Sequence, residues 1–308
     1  MVKSFLPDPV LISRLESYRL VQQRPVAGGY AGGRRSLIKG GAVEFADYRE
    51  YTPGDEPRRV DWKAYARLGR LYVKEFLDER QDSVLFVIDT SASMDWGEGE
   101  EHKGRYALKL AAALGVCAMY GNDRLTAVAG PALNGHNNTR KSVVFHPRSG
   151  RNSIPFWGNW LSKIKFEGPT TLKECLQEGI AVAPGAVSLL VFSDLLDPLG
   201  TEEMLRLAAS RNMACTLLHV LAPGELEPPG EGEWTMQDME TGALVEVSFT
   251  PSVLREYKQR LNEFCQTLDN CCHRWGVRRV LINSGQPLSE ILLRYLPLNG
   301  ILSKATYS

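Results

Sequence analysis

The sequence predicts an α/β protein with a doubly wound, mostly parallel β-sheet and an appended N-terminal strand element. Two observations carry this prediction. The first is the unbroken apolar run "VLFVI" at 84–88, which is typical of a strand buried on both faces of a parallel sheet. The second is the regular alternation of apolar strands and helices after it, which is typical of βαβ units.

The elements follow one another from residue 83 onward. The predicted strands span 83–89, 124–129, 142–146, 187–193, 213–220 and 277–282. The predicted helices span about 104–120, 151–164, 171–182, 201–211 and 251–274, with a last short helix near the end of the chain. A pair of strands is expected near 234–249.

Composition divides the chain into four predicted parts. Residues 1–41 hold an amphipathic helix and a glycine-rich basic stretch, and residues 42–82 alternate aromatic, charged and β-branched positions without helical period. Residues 83–222 form the main α/β domain. Residues 223–308 begin with the linker "PGELEPPGEGEW" and continue as a strand and helix extension that completes the domain.

Charge and hydropathy exclude several classes of protein. Lys plus Arg equals Asp plus Glu at 36 each, so the chain as a whole carries no field that would attract nucleic acid. No apolar run approaches the roughly 18 residues that suggest a transmembrane helix, and the N-terminus lacks the features of a signal peptide. The six cysteines form no Cys-x-x-Cys pair. We expect a cytoplasmic protein with reduced thiols.

Polar residues follow two of the predicted strands, and they suggest a metal site. Asp89, Ser91 and Ser93 form an Asp-x-Ser-x-Ser array directly after the first central strand. Thr170 precedes a predicted helix, and Asp194 ends a later strand. Carboxylate and hydroxyl oxygens suit Mg²⁺ or Mn²⁺ and suit zinc poorly. Because ligands bind beyond the carboxyl ends of parallel strands, these five residues predict a site for Mg²⁺ or Mn²⁺.

A structural alternative stays open for each of these residues taken alone. Ser91, Ser93 and Thr170 could cap helices, and Asp194 could cap the helix near 201 or stabilise a turn. Capping accounts for any one of them, whereas the joint pattern favours a metal or oxyanion site.

The sequence resembles two related groups of proteins. The segments "DTSAS" at 89–93, "GPTTL" at 168–172 and "FSD" at 192–194 resemble the metal-ion-dependent adhesion site of von Willebrand factor A domains. The segment 44–76, "EFADYREYTPGDEPRRVDWKAYARLGRLYVKEF", resembles the signature of a bacterial family, domain of unknown function number fifty-eight. We name residues 44–76 the signature segment.

The resemblance implies a von Willebrand A-like Rossmannoid fold and a set of metal ligands. It assigns Asp89, Ser91 and Ser93 to a first metal loop, Thr170 to a second and Asp194 to a third. One coordination position stays open for an acidic residue of a protein ligand. The turn here reads Gly168-Pro169-Thr170 instead of the usual Gly-Gly-Thr, and the membrane helices that many members carry ahead of the signature are missing.

The resemblance also implies a function. Such proteins are similar to adaptors that work with MoxR-type AAA ATPases in complex assembly or cofactor maturation, so we expect a non-enzymatic, ion-dependent binding protein. A Mg²⁺-dependent phosphohydrolase is an alternative, although Ser91 stands where dehalogenase-like phosphatases need a second acid. A scaffold with a non-functional metal site is another. The chain has no phosphate-binding loop, so nucleotide hydrolysis would belong to a partner.

Two further clusters are interpreted as structural. The basic and aromatic residues of the signature segment, Lys63 and Trp62 among them, are interleaved with acids such as Asp55 and Asp61, so we expect ion pairs or a protein-docking face and no nucleic-acid binding. Cys265, Cys271, Cys272 and His273 lie on one predicted helix but point in different directions, which favours ordinary packing over a metal site.

Overall fold

The structure, a computed structural model, describes residues 5–21, 43–52, 55, 60–78, 81–133, 140–228, 230–237 and 244–305. Most of the predicted glycine-rich basic stretch lies outside these residues. The chain divides into two compact units, one formed by residues 28–81 and the other by residues 1–27 together with 82–308.

The elements are numbered in chain order. The strands are β1 (Tyr18–Leu20), β2 (Val43–Glu50), β3 (Tyr72–Asp78), β4 (Ser83–Ile88), β5 (Arg124–Leu133), β6 (Arg140–Arg148), β7 (Ser188–Ser193), β8 (Ala214–Leu221), β9 (Gly232–Gln237), β10 (Leu244–Phe249), β11 (Arg278–Asn283) and β12 (Leu302–Lys304). The helices are α1 (Pro9–Leu15), α2 (Trp62–Leu68), α3 (Lys103–Tyr120), α4 (Ile154–Leu161), α5 (Leu172–Val182), α6 (Pro198–Ser210), α7 (Pro223–Leu226), α8 (Pro251–Trp275), α9 (Leu288–Glu290) and α10 (Leu296–Leu298). A π-helical turn at Ile291–Tyr295 joins the last two.

The larger unit is built on a six-stranded sheet in the order β11-β8-β7-β4-β5-β6. Every neighbouring pair is parallel except β5 and β6, which are antiparallel. The sheet is therefore mostly parallel, as the sequence predicts. The chain first builds from β4 towards β6 and then returns to add β7, β8 and β11 on the other side. Strand order thus reverses between β4 and β7, which is where open α/β sheets bind their ligands.

β4 separates two apolar layers. Val84, Phe86 and Ile88 pack in a cluster with α3 and α4, whereas Leu85 and Val87 pack in a cluster with α5, α6 and α8. All five side chains are fully buried. Alternate residues of a strand point to opposite faces, so a strand covered on both faces must be apolar at every position.

The two ends of the described chain meet beside α3. β1 and β12 form an antiparallel pair in which Leu20 lies opposite Leu302. Both residues, with Leu15 of α1, are buried in the cluster that contains α3. α1 begins at Asp8, whose side chain accepts a hydrogen bond from the N–H of Leu11.

The smaller unit pairs β2 and β3 as an antiparallel ribbon and carries α2. The Asp61 carboxylate caps α2 by accepting hydrogen bonds from the N–H groups of Lys63 and Ala64. Gly69 ends the helix with φ 68°, a left-handed conformation that glycine adopts without strain. No side chain of α2 is buried.

The predicted elements of the larger unit agree with the structure, with differences at their ends. The helix predicted over 151–164 is a 3₁₀ turn at Arg151–Ser153 followed by α4. The helix predicted from 201 begins at Pro198, because Asp197 caps it. The predicted linker begins with regular structure, since α7 occupies its first residues.

Candidate metal centre

The first loop of the candidate centre continues the ladder of β4 and then turns back on itself. The N–H of Asp89 donates to the carbonyl of Phe192 at 2.9 Å, which holds the residue beside β7. The N–H of Ser91 donates to Asp89 Oδ1 at 2.9 Å. The hydroxyl oxygens of Ser91 and Ser93 lie 3.0 Å apart. One short turn thus brings the oxygens of all three predicted residues together.

The second loop is fastened to the first by main-chain hydrogen bonds. The N–H of Ala92 donates to Gly168 O at 2.8 Å, and the N–H of Glu167 donates to Thr90 O at 2.9 Å. Gly168 has φ 69°, so the turn that precedes Pro169 depends on a glycine at this position.

Thr170 reaches the centre because the strand beneath it leaves room. Its hydroxyl lies 3.5 Å from that of Thr90. A Cβ atom on Gly130 of β5 would stand 2.4 Å from Thr170 Cγ2, a distance that would force the threonine away. The glycine in β5 therefore permits the close approach of the second loop.

The third loop, after β7, supplies a serine and an acid. Ser193 Oγ donates to Asp89 Oδ2 at 2.5 Å and accepts from the N–H of Leu195 at 2.9 Å. The Asp194 side chain is buried, and its Oδ1 accepts a 3.3 Å hydrogen bond from the N–H of Leu196. A hydrogen-bonded serine thus links the third loop to the first.

The three loops enclose one cavity of about 190 Å³ at the reversal of strand order. All five residues predicted from the sequence line it: Asp89, Ser91, Ser93, Thr170 and Asp194. Helix capping does not account for this arrangement. The N-cap of α5 is Thr171 and that of α6 is Asp197, while Ser91 makes no side-chain capping bond. The turn predicted as an alternative role for Asp194 is present as its bond from Leu196.

The carboxyl group of Asp89 is held where a negative charge is unfavourable. Burial raises its pKa, and the negative charge of Asp194 raises it further. Hydrogen bonds from Ser193 and Ser91 act in the opposite direction but do not cancel the effect. A cation placed between the two acids would relieve this repulsion.

A buried lysine stands behind Asp194. Lys103, the first residue of α3, is 1% exposed, and its Nζ lies 2.8 Å from Asp194 Oδ2 and 2.6 Å from Glu225 Oε1 of α7. The second Glu225 oxygen accepts from the N–H of Ala222 at 2.8 Å. Two carboxyl groups, those of Asp194 and Glu225, therefore share one ammonium group.

A buried histidine lies on the strand next to the third loop. His219 of β8 pairs in register with Ser193, and its Nδ1 lies 2.8 Å from Arg279 Nη1. An arginine only donates, so Nδ1 accepts and the proton of the neutral ring resides on Nε2. Burial, followed by the positive charge of Arg279, lowers the pKa of His219 to about 4. The imidazole is thus neutral at physiological pH.

The centre differs from sites that depend on acids, histidines or thiols alone. Throughout the described part of the chain, no three His, Cys, Asp or Glu side chains are grouped so as to hold a metal ion. An ion bound here would depend on the hydroxyl oxygens of Ser91, Ser93 and Thr170 in addition to the carboxylates. Such oxygens are hard ligands, as Mg²⁺ and Mn²⁺ require.

Sequence reasoning missed three residues of this centre: Ser193, Lys103 and Glu225. Ser193 could have been found, because it stands beside Asp194 in the same strand-end motif. Lys103 and Glu225 gave no local signal, since each lies far along the chain from Asp194 and meets it only in the fold.

The signature segment and the cysteine cluster show ordinary structural contacts. Arg49 holds the pKa of the Asp55 carboxyl well below its usual range, and Arg70 pairs with Glu50. Two basic residues of the signature segment, Arg58 and Arg59, lie outside the described residues. All six cysteines of the chain are free thiols.

Known proteins match most of the chain. Residues 47–264 match the family described as Protein of unknown function DUF58. The chain belongs to the DUF58 family. This DUF58 chain is 28% identical over 299 residues to uncharacterized proteins of Mycobacterium bovis and Mycobacterium tuberculosis, covering 94% of this chain and 87% of theirs.

Two solved structures are more distantly similar to the DUF58 chain. One is the conserved hypothetical protein BatB of Bacteroides thetaiotaomicron, with TM-score 0.40, 12% identity and coverage of 70% of this chain and 98% of that one. The other is an aerotolerance-related membrane protein of Bacteroides fragilis, with TM-score 0.39, 12% identity and coverage of 71% and 98%. In the described parts of the DUF58 chain, no helix is both long and apolar enough to cross a bilayer.

Proposed function

We propose that this chain is a metal-ion-dependent protein-binding adaptor whose ion, Mg²⁺ or Mn²⁺, is held by the loops after β4 and β7. One observation carries the proposal. Two buried carboxyl groups and three hydroxyl groups from separate loops line a single cavity at the reversal of strand order. Burial and the negative charge of Asp194 raise the pKa of Asp89, and a divalent cation beside the two acids would stabilise the ionised form.

The residues present fit such an ion in spacing and in charge. Two neighbouring ligands of an octahedral Mg²⁺ with bonds of about 2.1 Å lie about 3.0 Å apart. The hydroxyl oxygens of Ser91 and Ser93 have that separation, which is also a hydrogen-bond distance. With Asp89, Asp194 and Glu225 ionised, the Lys103 ammonium leaves two negative charges uncompensated. A divalent cation would balance them.

The solvent-facing side of the cavity is its hydroxyl side. Ser93 and Thr170 are partly exposed, whereas Asp89 and Asp194 are buried. A bound ion would supply an open coordination position there, for which a carboxylate of another protein is a natural ligand. The chain's own residues would hold the ion, and the carboxylate of the partner would complete its coordination.

The resemblance to von Willebrand A-like adhesion sites supports this proposal, and it suggests a MoxR-type AAA ATPase as the partner. The ATPase, or a client that it remodels, would present an exposed Glu or Asp. The chain itself would then act in complex assembly or cofactor maturation without turnover of its own.

Metal binding is tested by thermal unfolding in chelator and across a titration of Mg²⁺ and Mn²⁺. A ligand that binds only the native state stabilises it by about 2.7 kcal/mol at a hundredfold excess over Kd, a rise in Tm of roughly 5 °C. Asp89→Asn should abolish this rise while leaving the protein folded, because it removes a charge and keeps the shape. Asp95→Asn, a control acid that does not line the cavity, should retain it. A wild-type Tm that stays unchanged across both titrations would refute the metal site.

Partner binding is tested by a pull-down of the MoxR-type ATPase. Ser91→Ala and Thr170→Ala remove ion ligands without opening a core cavity, so they should fold normally and lose the ATPase as chelator-treated wild type does. Full retention of the ATPase by these variants would place docking elsewhere. Release of inorganic phosphate from generic substrates with Mg²⁺, absent in Asp89→Asn, would favour the phosphohydrolase alternative instead.

A further inference from the structure

Lys103 is a buried charge without an assigned role. Its side chain is 1% exposed although it belongs to the residue type most often found at the surface. Taking an ammonium group out of water costs several kcal/mol, so buried lysines persist where anions surround them. The two anions here are Asp194 and Glu225.

The ammonium group is held in one position. Its two ion pairs are 2.8 Å and 2.6 Å long. Glu225 is itself fixed, because its Oε2 accepts from the N–H of Ala222 and its carbonyl accepts from the hydroxyl of Tyr257 at 2.7 Å. Lys103 therefore cannot follow Asp194 if that carboxylate turns towards the cavity.

A divalent ion in the cavity and the Lys103 ammonium compete for the same acid. Asp194 Oδ2 is bound to Lys103, and Oδ1 accepts from the N–H of Leu196. The opposing residue, Asp89, has its oxygens bonded only to the neutral donors Ser91 and Ser193. The two acids that line the cavity are thus unequal, because Asp194 is paired with an ammonium group and Asp89 is not.

We propose that Lys103 is a built-in counter-ion of the metal centre, which competes with the ion for Asp194 and so weakens divalent-ion affinity. This inference rests on the proposed function. Its consequence is that the ion binds fully only when a partner brings a carboxylate, since that carboxylate replaces the negative charge that Lys103 has neutralised. Lys103 is a positioning residue, and it makes ion binding and partner binding depend on each other.

Two variants, one that removes a positive charge and one that removes a negative charge, separate this role from a merely structural one. Lys103→Met removes the competing positive charge and frees Asp194. Glu225→Gln keeps the shape of the side chain, removes a negative charge and leaves Lys103 entirely to Asp194. A counter-ion predicts tighter Mg²⁺ binding in the first and weaker binding in the second. Damage to the fold would weaken binding in both.

The experiment measures Mg²⁺ affinity by calorimetry, together with Tm in chelator. We expect Lys103→Met to lower the Kd for Mg²⁺ on the order of tenfold, because a positive charge a few ångströms away opposes binding. Its Tm in chelator should fall, since Asp194 and Glu225 lose their partner. Glu225→Gln should raise the Kd several-fold. One control is Lys109→Met, which lies on the same helix as Lys103 and pairs with the exposed Glu100. The other is Glu227→Gln, an exposed acid close in sequence to Glu225.

The outcomes distinguish this inference from the proposed function. Unchanged or weaker Mg²⁺ binding by Lys103→Met overturns the counter-ion role. If Lys103→Met does not fold, Glu225→Gln provides the test. Tighter or unaltered Mg²⁺ binding by Glu225→Gln would overturn the counter-ion role. Binding by Lys103→Met but not by wild type would support the counter-ion role and contradict the metal affinity that the proposed function gives to the isolated wild-type protein. Binding by neither protein would overturn both.

Discussion

Asp123 shows how one buried carboxyl group makes stability depend on pH. It follows α3, it is almost fully buried, and burial raises its pKa to about 7. The negative charge of Asp82 raises the pKa as well, whereas Arg19 acts to lower it. The unfolded chain releases this proton near pH 3.8. Between these two values the native protein binds a proton that the unfolded chain does not, so stability falls as pH rises from about 4 to 7.

Asp123→Asn should remove this dependence. At pH 8 we expect the variant to exceed wild type in unfolding free energy by about 1–3 kcal/mol, because the charge no longer has to be buried. At pH 4 the two proteins should be nearly equal. Urea unfolding at a series of pH values measures the difference. Parallel curves for variant and wild type from pH 4 to pH 8 would show that Asp123 titrates normally.

Residues that act through local spacing were predictable, and those that act across the fold were not. Asp89, Ser91 and Ser93 stand out because they share one turn, and the ends of parallel strands must meet at one edge of the sheet. Lys103 belongs to a helix that begins elsewhere, and its sequence neighbours do not show that its side chain is buried. The unequal charge balance of the two acids was therefore invisible before the fold was known.

Among the elements, α1 depends on a single apolar face. Leu15 is fully buried against the α3 cluster, whereas Val10 on the same helix is 73% exposed. A helix of 7 residues cannot be stable by itself, so this contact must hold it in place.

Leu15→Ala should lower the free energy of unfolding by about 2–5 kcal/mol, because it leaves a cavity beside α3. Val10→Ala removes the same kind of side chain from water-exposed surface and should cost less than about 0.5 kcal/mol. Chemical denaturation of both variants measures the contrast. Equal losses would show that α1 is not anchored through Leu15.

The positions of helices and strands are predictable where the hydrophobic pattern is strong. They are less predictable at helix ends, where capping residues and contacts distant in sequence determine the boundary. β4 and α3 match their predicted spans closely, since β4 is apolar from Val84 to Ile88 and α3 is buried along nearly its whole length. The segment 223–234 was predicted as a linker from its Pro, Gly and Glu content. Its first turn is nevertheless helical, because Glu225 is bound to Lys103 and to the main chain of Ala222.

At the scale of the whole molecule, the larger unit is closed by strands from opposite ends of the sequence. β1 and β12 are 3 residues each, too short to show any periodic pattern. The composition therefore predicts residues 1–41 as a separate part, whereas residues 1–27 cluster with residues 82–308 in the structure.

Leu302→Ala should loosen this closure. Leu302 is buried opposite Leu20, so the variant should lose about 2–4 kcal/mol of unfolding free energy. The amides of residues 18–20 should then exchange with solvent faster, which hydrogen-exchange mass spectrometry detects. Ser303→Ala, on the exposed side of β12, should leave both measurements unchanged. Preserved protection of β1 in Leu302→Ala would show that the strand is held by α3 alone.

The pairing of β1 with β12 also sets the order in which the protein can be completed during synthesis. The ribosome releases β1 before the strands of the central sheet, but its partner strand β12 emerges only after all of them. Until then the apolar side of Leu20 lacks its cover, and a nascent chain stalled before residue 302 presents that surface to chaperones and proteases. A chain that stops before β12 cannot form this pair, so such a truncated chain lacks the β1–β12 closure.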